Sequence, residues 1–337
     1  MSRLQLSVTT QSLRLAQPFR ISGYVFESAD VLVVTLDDGV HRGRGEGAGA
    51  YYLGDDLAHM RSEIDRTRDA IEAGPTREEL RAILPPGGAR NAVDAALWEF
   101  EAARAGQPVW ALAGLASPPP PIVTTFTVSA DTPEAMAAMA RGYVGAKSLK
   151  VKLTGELELD LARVAAIRQV RPDVWLGVDG NQGFARADLD ALVAGLVTHN
   201  VSLLEQPLAR GREAELDGYR SAIPIAGDES LLSLADLADA KGRFDVVNIK
   251  LDKCGGLTEG LLMAAEARRL GLGVMVGTMI GTSLATAPGF VLGQIADLVD
   301  LDGPTFLAQD HTPSVVYADG TLYAGPEVWG SGMATAA

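Results

Sequence analysis

From residue 122 onward, short runs of apolar and β-branched residues recur, each parted from the next by a helical pattern. There are eight: Ile122–Val128, Leu149–Leu153, Val174–Asp179, Val201–Gln206, Ile223–Asp228, Val246–Leu251, Val274–Thr278 and Leu298–Asp302. Polar residues near their ends, Thr127, Lys150, Asp179, Glu205, Asp228 and Lys250, are spaced by 23, 29, 26, 23 and 22 residues. Asp300 lies 50 residues beyond Lys250, two further steps. A strand, a crossover helix and two loops need about this much chain, and runs apolar on both faces are what covered parallel strands look like. Eight such units predict an α/β chain of (β/α)8-barrel type, with Asp131-Thr132-Pro133-Glu134 opening the first helix. A doubly wound open sheet would want a glycine-rich phosphate loop after its first strand, and the sequence has none there.

The preceding residues have another texture. Leu4, Leu6 and Val8 alternate with polar residues, Val31–Leu36 is a second strand run, and Asp38-Gly39 signals a hairpin turn. Helical stretches follow near Asp55–Ala73, from Thr76 to just before Pro85-Pro86, and over Asn91–Ala105. Thr76 and Glu79 form a capping box, and Val93, Ala96, Leu97 and Phe100 share one face of the third helix. The stiff Ser117-Pro118-Pro119-Pro120-Pro121 segment sets a boundary between an α+β domain, residues 1–117, and the barrel, residues 118–317.

Composition removes several function classes. A net charge of −14 argues against nucleic acid or an anionic membrane as partner, and no apolar run approaches the ~20 residues of a membrane span. The single cysteine, Cys254, permits no intrachain disulfide, and the first residues lack the apolar core of a signal peptide, so a cytoplasmic location is expected. His41, His59, His199 and His311 are scattered, which gives zinc no cluster.

In a barrel the C-terminal strand ends form the active face. Here they carry Lys150 and Lys152, then Asp179, Glu205, Asp228 and Lys250, and finally Asp300 and Asp302. Any one acid could cap a helix or turn, but so many charges at one phase are not explained as caps. Asp179, Glu205 and Asp228, on adjacent strands, suit a hard divalent cation such as Mg²⁺; the alternative is a ring of rim ion pairs with the lysines. The second and sixth strands of a closed barrel face each other, so Lys152 and Lys250 should reach the centre from opposite sides of the metal. That is a geometry for removing a proton from one face of a carbon and returning one to the other. Lys150 and Lys152 share a strand face and are expected to depress each other's pKa. Asp300 and Asp302 repel one another and call for a cation, with a substrate ammonium the simplest, unless backbone amides satisfy them.

These residues resemble the muconate-lactonizing-enzyme subgroup of the enolase superfamily over essentially the whole chain. The motifs that carry the resemblance are Lys150-Val151-Lys152, Val178-Asp179-Gly180-Asn181-Gln182, Leu204-Glu205-Gln206-Pro207, Gly227-Asp228-Glu229-Ser230 and Asn248-Ile249-Lys250-Leu251-Asp252-Lys253. The resemblance implies a capping role for the first domain, completed by the tail at about residues 318–337. It also implies Lys152 and Lys250 as the acid/base pair, Asp179, Glu205 and Asp228 as Mg²⁺ ligands, and a homo-oligomeric habit. Asp300-Leu301-Asp302-Gly303-Pro304 is similar to the Asp-x-Asp signature of dipeptide epimerases, which implies 1,1-proton transfer at the α-carbon of the C-terminal residue of L-Ala-D/L-Glu or a related L,L-dipeptide. By the same likeness Thr127, Lys150, Asp300, Asp302, Tyr24 and Met279 are expected to touch substrate. In the Pro18–Phe26 segment, read as a mobile loop, the place where alanyl-glutamate epimerases carry an arginine holds Gly23 or Tyr24, and Arg20 comes a few positions early.

Two rivals use the same machinery: an N-acylamino-acid racemase and an o-succinylbenzoate synthase. Neither gives a reason for Asp300 and Asp302. A non-catalytic barrel that binds a small amino compound is a third, and the lysine pair argues against it.

Overall fold

Antiparallel pairing begins at Gln5; the computed structural model describes residues 3–333. Strands β1 (Gln5–Ile21) and β2 (Tyr24–Asp37) form one long hairpin, paired from Gln5↔Asp37 to Ile21↔Tyr24. The segment expected to be a loop at 18–26 is therefore strand, closed by the turn Ser22-Gly23 with Gly23 at φ +75°. The loop was expected from the resemblance alone; Pro18 itself falls in a register irregularity between Arg14 and Phe19, a place where a sheet tolerates proline. Strand β3 (Arg42–Ala48) pairs with β2 after the Asp38-Gly39 turn.

Three helices cover this sheet: α1 (Leu57–Glu72), capped by Asp56, α2 (Arg77–Ile83), with the Thr76/Glu79 capping box, and α3 (Gly88–Ala105). Helix α3 lies directly on the glycines of β3: a Cβ at Gly43, Gly45 or Gly47 would meet backbone oxygens of α3 at 2.0–2.2 Å. That close approach buries α3 along nearly its whole length and brings Asn91 and Asp94 against the second domain.

The first barrel run is split. β4 (Ile122–Val123) stands outside the barrel, and β5 (Phe126–Val128) is the first barrel strand. Between them Thr124 and Thr125 are buried and bonded to the last strand. Then come β6 (Ser148–Lys152), β7 (Trp175–Asp179), β8 (Leu203–Glu205), β9 (Ile225–Gly227), β10 (Val246–Lys250), β11 (Gly273–Gly277) and β12 (Leu298–Asp300). All eight are parallel neighbours in chain order, and Thr125 N donates to Val299 O at 2.9 Å across the seam between β12 and β5. The predicted barrel with an N-terminal α+β domain is the fold.

Register explains where the charges go. Lys152 pairs with Asp179 and Asp179 with Glu205, while Lys250 pairs with Gly277 and Gly277 with Asp300. Two or four residues earlier on the same faces, Trp175, Leu203, Val246, Met275 and Leu298 pack into an apolar plug. The alternate residues Leu149, Val151, Leu176, Val178, Leu204, Val247 and Ile249 join the large core beneath the helices. The two-residue strand period thus seals one end of the barrel and charges the other. In the tail, β13 (Val316–Ala318) and β14 (Thr321–Tyr323) form a hairpin that pairs with β4. Farther on, Trp329 Nε1 donates to Arg44 O and Gly330 N to Glu99 Oε1, both in the first domain. Residues 334–337 of the expected tail lie outside the described residues. No helix among the described residues is long and apolar enough to cross a membrane.

Candidate active site

At the charged end of the barrel, carboxylate oxygens of Asp179, Glu205 and Asp228 lie within 4.8 Å of one another, all three side chains buried. Lys152 Nζ donates to Asp179 Oδ2 at 2.7 Å, and Lys250 Nζ donates to Asp228 Oδ2 at 2.7 Å. The two lysines therefore flank the trio from opposite ends. Asn181 N holds the other oxygen of Asp179, and Asn248 Nδ2 holds Glu205 Oε1 at 2.8 Å. Glu205 Oε2 has Lys150 Nζ 2.7 Å away but no hydrogen bond. An oxygen-only set of three buried carboxylates, with one oxygen lacking a hydrogen bond, fits a hard cation such as Mg²⁺.

The electrostatics follow from burial and neighbours. Burial works to raise the Asp228 pKa, but Lys250 and Lys253 outweigh it and hold the group well below the usual range; Lys152 and Lys150 do the same for Asp179. Glu205 keeps less help: burial and then Asp179 push it up to about 7. For Lys150 the expected depression is reversed. Burial lowers its pKa, yet Asp300, Glu205 and Asp179 more than compensate and raise it well above the ordinary lysine value. The sequence showed one like charge on the same strand; the fold adds carboxylates from three others.

Asp300 Oδ2 accepts from Lys150 at 2.8 Å and its other oxygen from the Thr125 hydroxyl. Asp302 Oδ2 accepts from Thr127 N at 2.6 Å, and burial, then Asp300, push its pKa up to about 7. So a lysine serves Asp300, a backbone amide serves Asp302, and Asp302 has no cation of its own among the described residues.

These groups open into a cavity of about 290 Å³ between barrel and first domain, the scale of a small-molecule site. Of the residues expected to touch substrate, Thr127, Lys150, Met279, Asp300 and Asp302 line it. Tyr24 does not: it is 46% exposed and packs edge-on against Tyr51, 4.6 Å between centroids, one layer behind the wall formed by Phe26 and Tyr51. The turn at Ser22-Gly23 points it outward.

Sequence reasoning did not single out Glu229, Lys253, Tyr51 or Tyr52. Glu229 is buried beside the trio, accepts from Asn181 Nδ2 at 3.4 Å, and is pushed up to about 8 by burial and Asp228. Strand alternation would have turned it away, but β9 ends at Gly227 and the chain bends. Lys253 donates to Asp228 from the short helix Leu251–Cys254, three residues beyond Lys250. The doublets Asp228-Glu229 and Lys250/Lys253 were the available signals.

One first-domain carboxylate reaches the barrel loops. Glu46 on β3 is buried and accepts from Thr282 N at 2.8 Å and from the Thr282 hydroxyl, where helix Ser283–Gly293 begins. Burial, with Asp252 and Asp310 nearby, raises its pKa from 4.5 to about 7. The protonated form thus adds stability that is complete below pH ~4.5 and lost as the pH rises through about 7, up to about 3 kcal/mol. Glu46→Gln keeps an acceptor for Thr282 N and removes the titration. Its urea stability should match wild type near pH 4 and exceed it by pH 8; parallel curves would show that Glu46 does not titrate in this range.

Comparison with known proteins gives two family matches: "Mandelate racemase / muconate lactonizing enzyme, N-terminal domain" over residues 3–114, and "Enolase C-terminal domain-like" over residues 134–335. An L-Ala-D/L-Glu epimerase of Escherichia coli (strain K12) is 39% identical over 320 residues, 94% of this chain and 99% of that protein. An Agrobacterium tumefaciens enolase family member with homology to dipeptide epimerases, solved with sodium and L-Ala-L-Glu, is 39% identical, with a TM-score of 0.92 over 97% of this chain and 100% of that one. The Enterococcus faecalis V583 dipeptide epimerase, solved with Mg and L-Leu-L-Tyr, is 27% identical, with a TM-score of 0.89 over 99% of this chain and 100% of that one.

Proposed function

The chain belongs to the mandelate racemase/muconate lactonizing enzyme family, and on that premise we propose how its residues carry out Mg²⁺-dependent dipeptide epimerisation. The observation that carries the reading is the pair Lys152 and Lys250, hydrogen-bonded to opposite ends of one buried acid trio. The substrate is a free dipeptide, and the reaction is inversion at the α-carbon of its C-terminal residue.

Asp179, Glu205 and Asp228 are the residues that would hold Mg²⁺; when bound, it stabilises the charge that develops on the substrate carboxylate as the α-proton leaves, and it offsets the carboxylate field that keeps Lys250 protonated. One lysine, as the neutral amine, accepts the α-proton at Nζ. The other, as the ammonium, donates from Nζ to the opposite face. Lys150, tied to Asp300 and beside Glu205, stays charged and faces the substrate carboxylate. Asp302 receives the ammonium of the N-terminal residue, and Asp300 shares in that contact. Burial strengthens each of these interactions by excluding water. A reducing cytoplasm suits a chain whose one cysteine is buried.

The direct test is proton NMR in heavy water with enzyme, Mg²⁺ and L,L-dipeptides. Exchange of the C-terminal α-proton with appearance of the L,D isomer supports the reading; no exchange by folded, Mg²⁺-loaded protein removes it. An N-acyl amino acid has no ammonium, so Asp302 separates the two chemistries. Asp302→Asn should raise KM for dipeptides ~100-fold with a much smaller change in kcat, and any turnover of N-acetyl amino acids should be untouched. An equal loss on both substrates would assign Asp302 to the fold rather than to the ammonium.

A further inference from the structure

The cavity is segregated by chemistry. Its barrel side holds the charges described above. Its other side is a wall of Phe19, Ile21, Phe26, Tyr51, Met279 and Phe306. Two ring pairs build that wall, Phe19 edge-on to Phe306 at 4.8 Å and Phe26 against Tyr51 at 5.1 Å, and the hairpin joins them by pairing Phe19 with Phe26. Leu57 and Ile280 extend it.

Among the described residues, the basic side chains lining the cavity are Lys150, Lys152 and Lys250 alone, and each is already bonded to barrel carboxylates. Arg20 alternates out of the hairpin face that carries Phe19 and Ile21. It lies 3.7 Å from Asp131 with 46% of its side chain exposed. Arg210, whose charge reaches Tyr52, is exposed and stands outside the lining. The charges that the first domain does contribute are negative: Asp30, Asp55 and Asp56. Asp55 is taken up by Gly88 N and His59, and Asp56 caps α1, which leaves Asp30 facing the opening.

This inference rests on the dipeptide reading above. With the α-carbon between Lys152 and Lys250 and its carboxylate toward the acid trio, the direction open to the C-terminal side chain is toward the first domain. A glutamate side chain there would leave water, find no cation and meet the field of Asp30, which is costly for a charge. The Tyr52 hydroxyl, buried and without a partner, offers a neutral hydrogen bond and no compensating charge. An apolar or aromatic side chain instead buries its surface against ring faces. We propose that the C-terminal residue of the preferred dipeptide is apolar or aromatic, of the leucine or phenylalanine type, and that the Phe19/Ile21/Phe26/Tyr51 wall rejects glutamate.

The experiment follows exchange and epimer formation for L-Ala-L-Leu, L-Ala-L-Phe, L-Ala-L-Glu and L-Ala-L-Lys with the full chain and Mg²⁺. The expected result is a kcat/KM for the Leu and Phe peptides at least ~100-fold above that for the Glu peptide. Phe26→Arg, which places a cation in the wall, should narrow that ratio at least ~10-fold; an unchanged ratio in a folded variant overturns the assignment of the wall. L-Ala-L-Glu turning over as well as L-Ala-L-Leu overturns the proposal, and so does L-Ala-L-Lys turning over best, which would make Asp30 the determinant. Failure of the substrate class alone still leaves one of these charged peptides active. Silence on all four, from folded and Mg²⁺-loaded protein, overturns the epimerase reading and the substrate class with it.

Discussion

Lys152→Met and Lys250→Met should each abolish epimerisation, with a loss of at least ~10⁴, and yet each should still exchange the α-proton of one epimer in heavy water. Two hydrogen bonds place the ammonium groups at opposite ends of the acid trio. A carbon between them presents one face to each lysine. Inversion needs both, because the proton leaves one face and arrives on the other. Exchange without inversion needs only the lysine on the face that carries the proton, since that lysine can remove it and return a deuteron. The two variants should therefore exchange different epimers. Neither is expected to unfold: without Lys152, Asp179 still has Lys150 at 3.4 Å, and without Lys250, Asp228 still has Lys253. Methionine keeps the buried stem of each side chain. The readout is proton NMR of the L,L and L,D isomers incubated separately with each variant. If both variants wash out the same isomer, or either still epimerises at more than a small fraction of the wild-type rate, the two-base geometry is wrong.

Most of that geometry was legible because it is periodic. Lys152, Asp179 and Glu205 are one register line across three strands, and residues at the ends of evenly spaced parallel runs must meet at one rim. What the sequence hid lies where periodicity stops. Glu229 and Lys253 come just after strand ends, and a bend and a four-residue helix, neither visible in an alternation pattern, turn them back toward Asp228. The Pro18–Phe26 segment was hidden for another reason: the resemblance implied a loop, and only long-range pairing with β2 makes it strand. That difference decides which side chains face the cavity, since a strand sends Phe19 and Ile21 to one side and Arg20 to the other. The Lys150 pKa goes the other way because the carboxylates that raise it come from strands 29 to 150 residues away along the chain, and a sum over local charge cannot include them.

Glu205→Gln should make the metal-free protein more stable while removing most of its activity. Glu205 is the central acid of the trio. Its Oε1 accepts from Asn248, a contact that glutamine keeps, and its Oε2, without a hydrogen bond, faces the Lys150 ammonium at 2.7 Å, the one favourable contact that the change gives up. The carboxylate is buried next to Asp179, and this unfavourable placement is what pushes its pKa to about 7. A neutral amide of the same shape removes the like-charge repulsion and part of the cost of burying charge. The same change removes one of three anionic oxygens offered to the cation, so Mg²⁺ affinity should fall at least ~100-fold and turnover at moderate Mg²⁺ by ~10³. Thermal melts separate the two effects. Wild type at 100 times its Kd for Mg²⁺ should gain about 2.7 kcal/mol over the EDTA-treated protein, while the variant at that concentration should gain far less from a higher starting point. Equal Mg²⁺-induced shifts in both proteins, or full wild-type activity in EDTA, would take the metal away from this trio. A stabilising substitution that silences the enzyme is what a site kept under electrostatic strain for its function predicts; a metal-free variant less stable than wild type would mean that Lys150 already compensates the Glu205 charge.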